Sequence, residues 1–221
     1  TGKTKTMQIL SELLVKNGVS VLSMDMKGDF SGISMEGTPN DKILERMKIL
    51  TKEWLPSASP SEFISLNNEP DIKFRATVSE FGPILFSRLL ELNDVQESVI
   101  SLIFKYCDDN KLPLVDLEDI KSVMLYLTNE GKEEIKKLYG QISSSTTSTI
   151  IRKIIQLEQQ GGAQLFGEPS FMVNDLLNGK VNILKVENIQ DKPRLFSTCM
   201  LSILSEVYSS FPEVGELDKP K

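Results

Sequence analysis

Histidine is absent from the sequence. Ser-His and Cys-His catalytic pairs and every His-ligated metal centre are therefore excluded within these residues, because no other side chain supplies a neutral imidazole as base or ligand. Cysteine is nearly as scarce. Cys107 and Cys199 stand far apart in apolar, helix-like surroundings with no C-x-x-C spacing and no second pair. Neither a disulfide framework nor a zinc site follows from them, and a reducing, cytoplasmic setting is expected. No apolar run is long enough to span a bilayer and no charged-then-apolar leader opens the chain, so neither membrane association nor secretion is expected. A basic excess is missing as well. With 31 acidic against 25 basic residues and a formal charge of −6, the surface as a whole does not attract phosphate backbones, which leaves room for a local basic groove only.

What is present is enough apolar material for a core: 40% of the 221 residues are hydrophobic, and a chain of this length buries roughly 70% of its unfolded surface. Met7, Ile9, Leu10, Leu13 and Leu14 recur at helical spacing, and Gly18 supplies the left-handed residue that ends such a helix. A helix is predicted from Lys3 or just after it to Asn17. The short apolar run Val19 to Met24 then reads as a buried strand of a parallel sheet. Asp41 to Leu55 places Ile43, Leu44, Met47, Leu50 and Trp54 on one face behind an Asn40 or Asp41 cap, predicting a second amphipathic helix. Phe63 to Leu66 and the alternating Ile72 to Val78 predict two strands, paired antiparallel at a sheet edge.

From Pro83 to Gln160 the pattern is helical, with breaks at 93–94, 108–113, 129–131 and 143–148. The strand pattern resumes at Val181 to Val186, and Pro193 to Phe211 predicts a long helix carrying Leu195, Met200, Leu201, Leu204 and Val207. The predicted organisation is thus residues 1–82 and 163–221 as two parts of one α/β core, with 83–162 as an all-α insertion.

The chemistry-bearing motif is Thr1-Gly2-Lys3-Thr4, the last part of the phosphate-loop pattern G-x-x-x-x-G-K-[ST]. Gly2 lets backbone approach a phosphate, Lys3 reaches β and γ oxygens as the catalytic cation, and the Thr4 hydroxyl is the predicted magnesium ligand. Thr1 and Lys5 flank these contacts. The helix that follows aims unpaired N–H groups and the positive end of its dipole at the same anion. Chance could supply three such letters, but here a helix, a helix-ending glycine, a buried strand and a charged strand end follow in the order that a nucleotide-binding sheet requires.

The strand end, Asp25-Met26-Lys27-Gly28-Asp29, lies where open α/β sheets place ligands. Asp25 or Asp29 could orient water or a magnesium shell; equally, Gly28 could simply make a turn between solvated charges. The glycine-dense stretch from Gln159 to Pro169 reads as helix termination and a turn more readily than as a loop moving beside the nucleotide. Arg75, Arg88, Arg152 and Arg194 are the arginines on hand to meet phosphate charge, and sequence does not choose among them.

The segments TGKTKTMQILSELL, VSVLSMDMKGDFSGIS, RATVSEFGP, QLEQQGG, LFGEP and SEVYSSFPEVGELDKPK, in this order and spacing, resemble the HerA-like bacterial ATPases of the YjgR type. The resemblance covers essentially the whole chain. It implies an incomplete RecA-like P-loop NTPase core of the HerA/FtsK superfamily, with a mostly parallel sheet and flanking helices. It further implies magnesium-dependent ATP hydrolysis by a homo-oligomeric, hexameric ring that pumps DNA. The strand and first glycine of the phosphate loop would precede Thr1, and the strand carrying the Walker B carboxylates would begin just beyond Lys221. Residues 1–221 taken alone are accordingly expected to bind ATP weakly and not to hydrolyse it. The competing reading is a nucleotide-gated interaction module whose acidic helical block docks a partner. DNA should stimulate ATP turnover by a motor and leave that of such a module unchanged.

Overall fold

The computed structural model describes residues 2–66, 71–170, 172–211, 213 and 215–216, apart from the Arg194 side chain. In chain order the elements are α1 (Lys3–Lys16), β1 (Val21–Asp25), α2 (Asp41–Ile49), β2 (Ser61–Ser65), β3 (Ile72–Lys73), α3 (Val78–Leu89), α4 (Asp94–Asp109), α5 (Leu117–Thr128), α6 (Lys132–Leu138), α7 (Ser144–Gln159), β4 (Val181–Lys185) and α8 (Pro193–Ser210). Local chemistry accounts for most boundaries. Gly18, at φ 83°, turns the chain out of α1, and the Asn40 side chain accepts from the Ile43 N–H at 3.0 Å to start α2. Three helices open on reciprocal side-chain caps: Thr77 with Glu80 for α3, Asn93 with Gln96 for α4 and Asp116 with Asp119 for α5. Gly82, at φ 69°, puts a kink ahead of Pro83 inside α3.

Among the described residues the strands form one sheet of order β1-β4-β2-β3, parallel throughout. The two strands predicted as an antiparallel edge pair are therefore corrected. β2 lies inside the sheet between β4 and β3, and β3 joins it in parallel through Ile64↔Ile72 and Ser65↔Lys73. A parallel neighbour ordinarily needs a long crossover. Here only two residues pair, at the carboxyl end of β2. The expected alternation through Val78 also stops early: Ala76 makes an isolated bridge to Phe166, and Val78 already opens α3.

Apolar side chains cover both faces of the sheet. On one face Ile64 and Leu184 join a continuous core with α3, α4, α5, α7 and α8, in which Phe81 and Phe86 stack edge-on against Phe166 at 4.9 and 5.8 Å between ring centroids. On the other, Val181 and Ile183 pack with Val15 of α1 and with Phe30 and Ile33 from the segment after β1. The inward faces of two helices differ from those predicted. α1 buries Gln8, Ser11 and Val15, while Leu10 and Leu13 stay 49% and 53% exposed. α8 buries Leu195, Cys199 and Ile203, leaving Leu201 and Leu204 outward. α2 is shorter than predicted, ending before Thr51 at φ 50°, and it buries none of its residues.

Cys107 and Cys199 are both free and buried. Burial pushes their thiols up to about 11 and about 12, with Asp108 and Asp119 adding to the effect at Cys107. A raised thiol pKa means that the reactive thiolate is scarce below that value. Both cysteines are thus expected to resist a thiol reagent at about pH 8 in the native protein and to react fully once urea unfolds it; rapid native-state labelling would contradict this burial. Among the described residues, no helix is long and apolar enough to cross a membrane.

Candidate functional site

The first turn of α1 and the segment after β1 meet on the carboxyl side of the sheet. Gly2 caps α1 in the left-handed conformation, at φ 75° and ψ 6°, and no side chain caps the helix. That leaves the first N–H groups of α1 without the side-chain acceptor that usually satisfies such donors, at the positive end of the helix dipole. Lys3 is exposed, and its ammonium makes no hydrogen bond or ion pair among the described residues. Thr4 faces the strand end: its Oγ1 donates to Asp29 Oδ2 at 3.0 Å. Lys5 Nζ donates to Gln8 Oε1 at 2.9 Å, and Gln8 Nε2 donates in turn to the carbonyls of Asp29 and Phe30 at 3.0 and 3.2 Å. Thr1 lies outside the described residues.

Asp25 ends β1 and is 2% exposed. Its carboxylate accepts four backbone N–H groups: Lys27 and Gly28 on Oδ1 at 3.2 and 2.9 Å, Phe30 and Ser31 on Oδ2 at 3.0 and 3.2 Å. It is thus turned inward as the hub of the loop, while Asp29 is the carboxylate presented to Thr4. Gly28, at φ 74°, makes the turn between them, and the Glu187 carboxylate lies 3.0 Å from where a Gly28 side chain would begin. Glu187 follows β4 at the same end of the sheet.

The signal for Gln8 and Glu187 was weak in sequence. Gln8 sits among apolar residues of an apparently amphipathic helix, and Glu187 belongs to no motif; only the parallel pairing of β1 with β4, Asp25 opposite Lys185, brings Glu187 to Gly28. The stretch from Gln159 to Pro169 is not part of this assembly. Gly161, at φ 89°, ends α7, and Phe166 bridges Ala76 beyond β3, at the sheet edge opposite β1. Arg75 packs there against Gly167. Among the described residues Arg75, Arg88 and Arg152 share no hydrogen bond with residues 2–5, and the Arg194 side chain is not described.

Among the described residues no three His, Cys, Asp or Glu side chains cluster as a metal cage. The Thr4 hydroxyl and Asp29 carboxylate instead make a two-oxygen set, which suits a hard cation that keeps its waters and takes its remaining ligands from phosphate.

A parallel α/β sheet whose first helix opens on Gly-Lys-Thr and is tied at its amino end to the adjoining strand end places the protein in the RecA-like P-loop class. The chain belongs to the helicase HerA-like C-terminal family, whose model matches residues 1–221, a family of HerA/FtsK-type nucleotide-binding ATPases. No individually curated protein matches it.

Proposed function

We propose that the protein binds ATP through Gly2, Lys3, Thr4 and Lys5 and hydrolyses it with magnesium, as a cytoplasmic ring ATPase of the YjgR kind that moves DNA. The observation that carries this reading is the Thr4–Asp29 contact, which joins the Gly-Lys-Thr turn to the end of β1. Within it, Lys3 meets the β and γ oxygens, and the N–H groups of the first α1 turn meet the same phosphates. The Thr4 hydroxyl and Asp29 would hold the magnesium, which when bound would supply charge neutralisation to the transferring phosphoryl group. Thr1 would complete the loop. Asp25 contributes by fixing residues 27–31, so that Asp29 is held in place without having to be ordered when the nucleotide arrives.

Residues 83–162 are read as an insertion that the core formed by 1–82 and 163–221 carries, and a hexamer as the assembly. The family supports the ATPase; DNA and ring size rest on the resemblance. The test is ATP turnover by the full-length protein with and without duplex DNA. Stimulation by DNA is expected. Turnover indifferent to DNA would favour the second reading, a nucleotide-gated interaction module, to which the acidic helical block lends some support.

A further inference from the structure

Alongside the phosphate-loop helix lies a cavity of about 520 Å³, within the range of small-molecule sites. One wall is the flank of α1 made by Lys5, Ile9 and Glu12, spaced as one helix face. The facing wall comes from the segment after β1 and includes Thr38, Asn40 and Trp54. Lys5, one residue past Thr4, is part of the cavity lining. Thr4 and Ile9 are separated by roughly 7 Å along the helix axis, which is the reach of an α-phosphate and ribose.

The walls are already fastened. Gln8 binds the carbonyls of Asp29 and Phe30, the Ser59 N–H donates to the Ile33 carbonyl at 3.0 Å, and Ser57 Oγ donates to Glu12 Oε1 at 3.0 Å. The Lys16 ammonium, at 2.6 Å, holds the Glu12 carboxyl below its ordinary range, so this tie persists in the ionised state at neutral pH. Trp54 is half-buried, and Gly37 lies so close to its indole that a side chain on Gly37 would begin 3.2 Å from the ring. Ile9 and Ile43 add apolar surface. Asn40 Oδ1 is committed to the α2 cap, but its amide N–H groups and the Thr38 hydroxyl make no hydrogen bond among the described residues. A flat aromatic face with apolar surroundings and a few free polar groups is the chemistry that recognises a nucleobase: stacking supplies affinity, and edge hydrogen bonds supply orientation.

We infer that this cavity is the nucleoside subsite, taking the ribose and purine base of a nucleotide whose phosphates lie at Gly2–Thr4, with the base stacked on Trp54. The assignment rests on the phosphate reading above and adds to it where the rest of the ligand lies.

Trp54 is the single tryptophan of the chain, so its emission reports on the cavity without a label. ATP, ADP and inorganic tripolyphosphate would be titrated into the protein, with binding followed separately by calorimetry. ATP and ADP are expected to change Trp54 emission saturably, whereas tripolyphosphate binds and competes with them without doing so. Trp54→Ala should weaken ATP about 10-fold, the loss of one stacked base, and leave tripolyphosphate affinity unchanged; Trp54→Phe should restore most of the loss. ATP binding with unaltered emission and no effect of Trp54→Ala would overturn the subsite and leave the phosphate site standing. An equal emission change with tripolyphosphate would also overturn it, since the base would then not be what Trp54 senses. If neither ATP nor tripolyphosphate binds, the phosphate reading fails and this one with it.

Discussion

Asp25→Ala is expected to cost the fold about 3 kcal/mol or more, read as a lower urea midpoint at unchanged slope. The carboxylate is buried and accepts four backbone N–H groups, so its removal costs more than one contact. The N–H groups of Lys27, Gly28 and Ser31 are only partly buried and can recover some of the loss from water. That of Phe30 is buried and cannot. Each buried donor left without a partner costs about 1–3 kcal/mol, and hydrogen bonds to a charged acceptor lie at the upper end of the usual range. Asp25→Asn separates shape from hydrogen bonding. It keeps one acceptor oxygen but turns an NH2 group toward two N–H donors, so about half or more of the alanine effect should remain. The loop also carries Asp29 to Thr4, and nucleotide affinity should fall with stability in both variants. A midpoint within error of the wild type for Asp25→Ala would mean that the loop holds itself without the carboxylate.

Lys3→Ala is expected to do the opposite: leave the fold intact and remove activity. Lys3 is exposed, its ammonium has no partner among the described residues, and it occupies the first position of α1. Alanine is the strongest helix former, so the melting temperature should stay or rise slightly. The ammonium is the charge aimed at the β and γ oxygens in the proposed site. Removing one preorganised donor to developing transition-state charge costs about 10²–10³-fold in turnover, with weaker ATP binding besides. The measurement is ATP hydrolysis by the full-length protein beside a thermal melt of the same preparation. Wild-type turnover by a folded Lys3→Ala variant would refute the phosphate-loop assignment.

Sequence patterns located the elements because their causes are local. A helix that needs Gly at its end, or Asn93 with Gln96 and Asp116 with Asp119 at its start, announces itself within four residues. β1, β4 and α8 were legible for a related reason: a buried parallel strand is a short apolar run, and a helix carries its own period. The face that a helix turns inward proved less legible. In α1 the apolar period ran through Leu10 and Leu13, yet Gln8 and Ser11 point to the sheet side, where Gln8 satisfies two carbonyls of the segment after β1. A glutamine with such partners can be buried at little cost, and no hydrophobicity pattern records which partners will be there. The length of α2 was overestimated because the apolar spacing from Ile43 to Trp54 crosses Thr51, whose positive φ breaks the helix.

The division extends to the site. By itself the sequence determined that a Gly-Lys-Thr turn opens a helix, that a buried strand follows, that its charged end is Asp25 to Asp29, and that imidazole chemistry is excluded. These follow from residue identity and near neighbours. Only the tertiary structure decided that β2 and β3 run parallel, that Asp25 turns inward while Asp29 meets Thr4, that Glu187 arrives beside Gly28, and that Trp54 faces α1 across a cavity. Each of these is a meeting of residues that are distant in sequence or a choice between two carboxylates four residues apart. Such outcomes are set by which backbone donors and which strand edges the whole fold leaves to be satisfied, a balance that no local pattern contains.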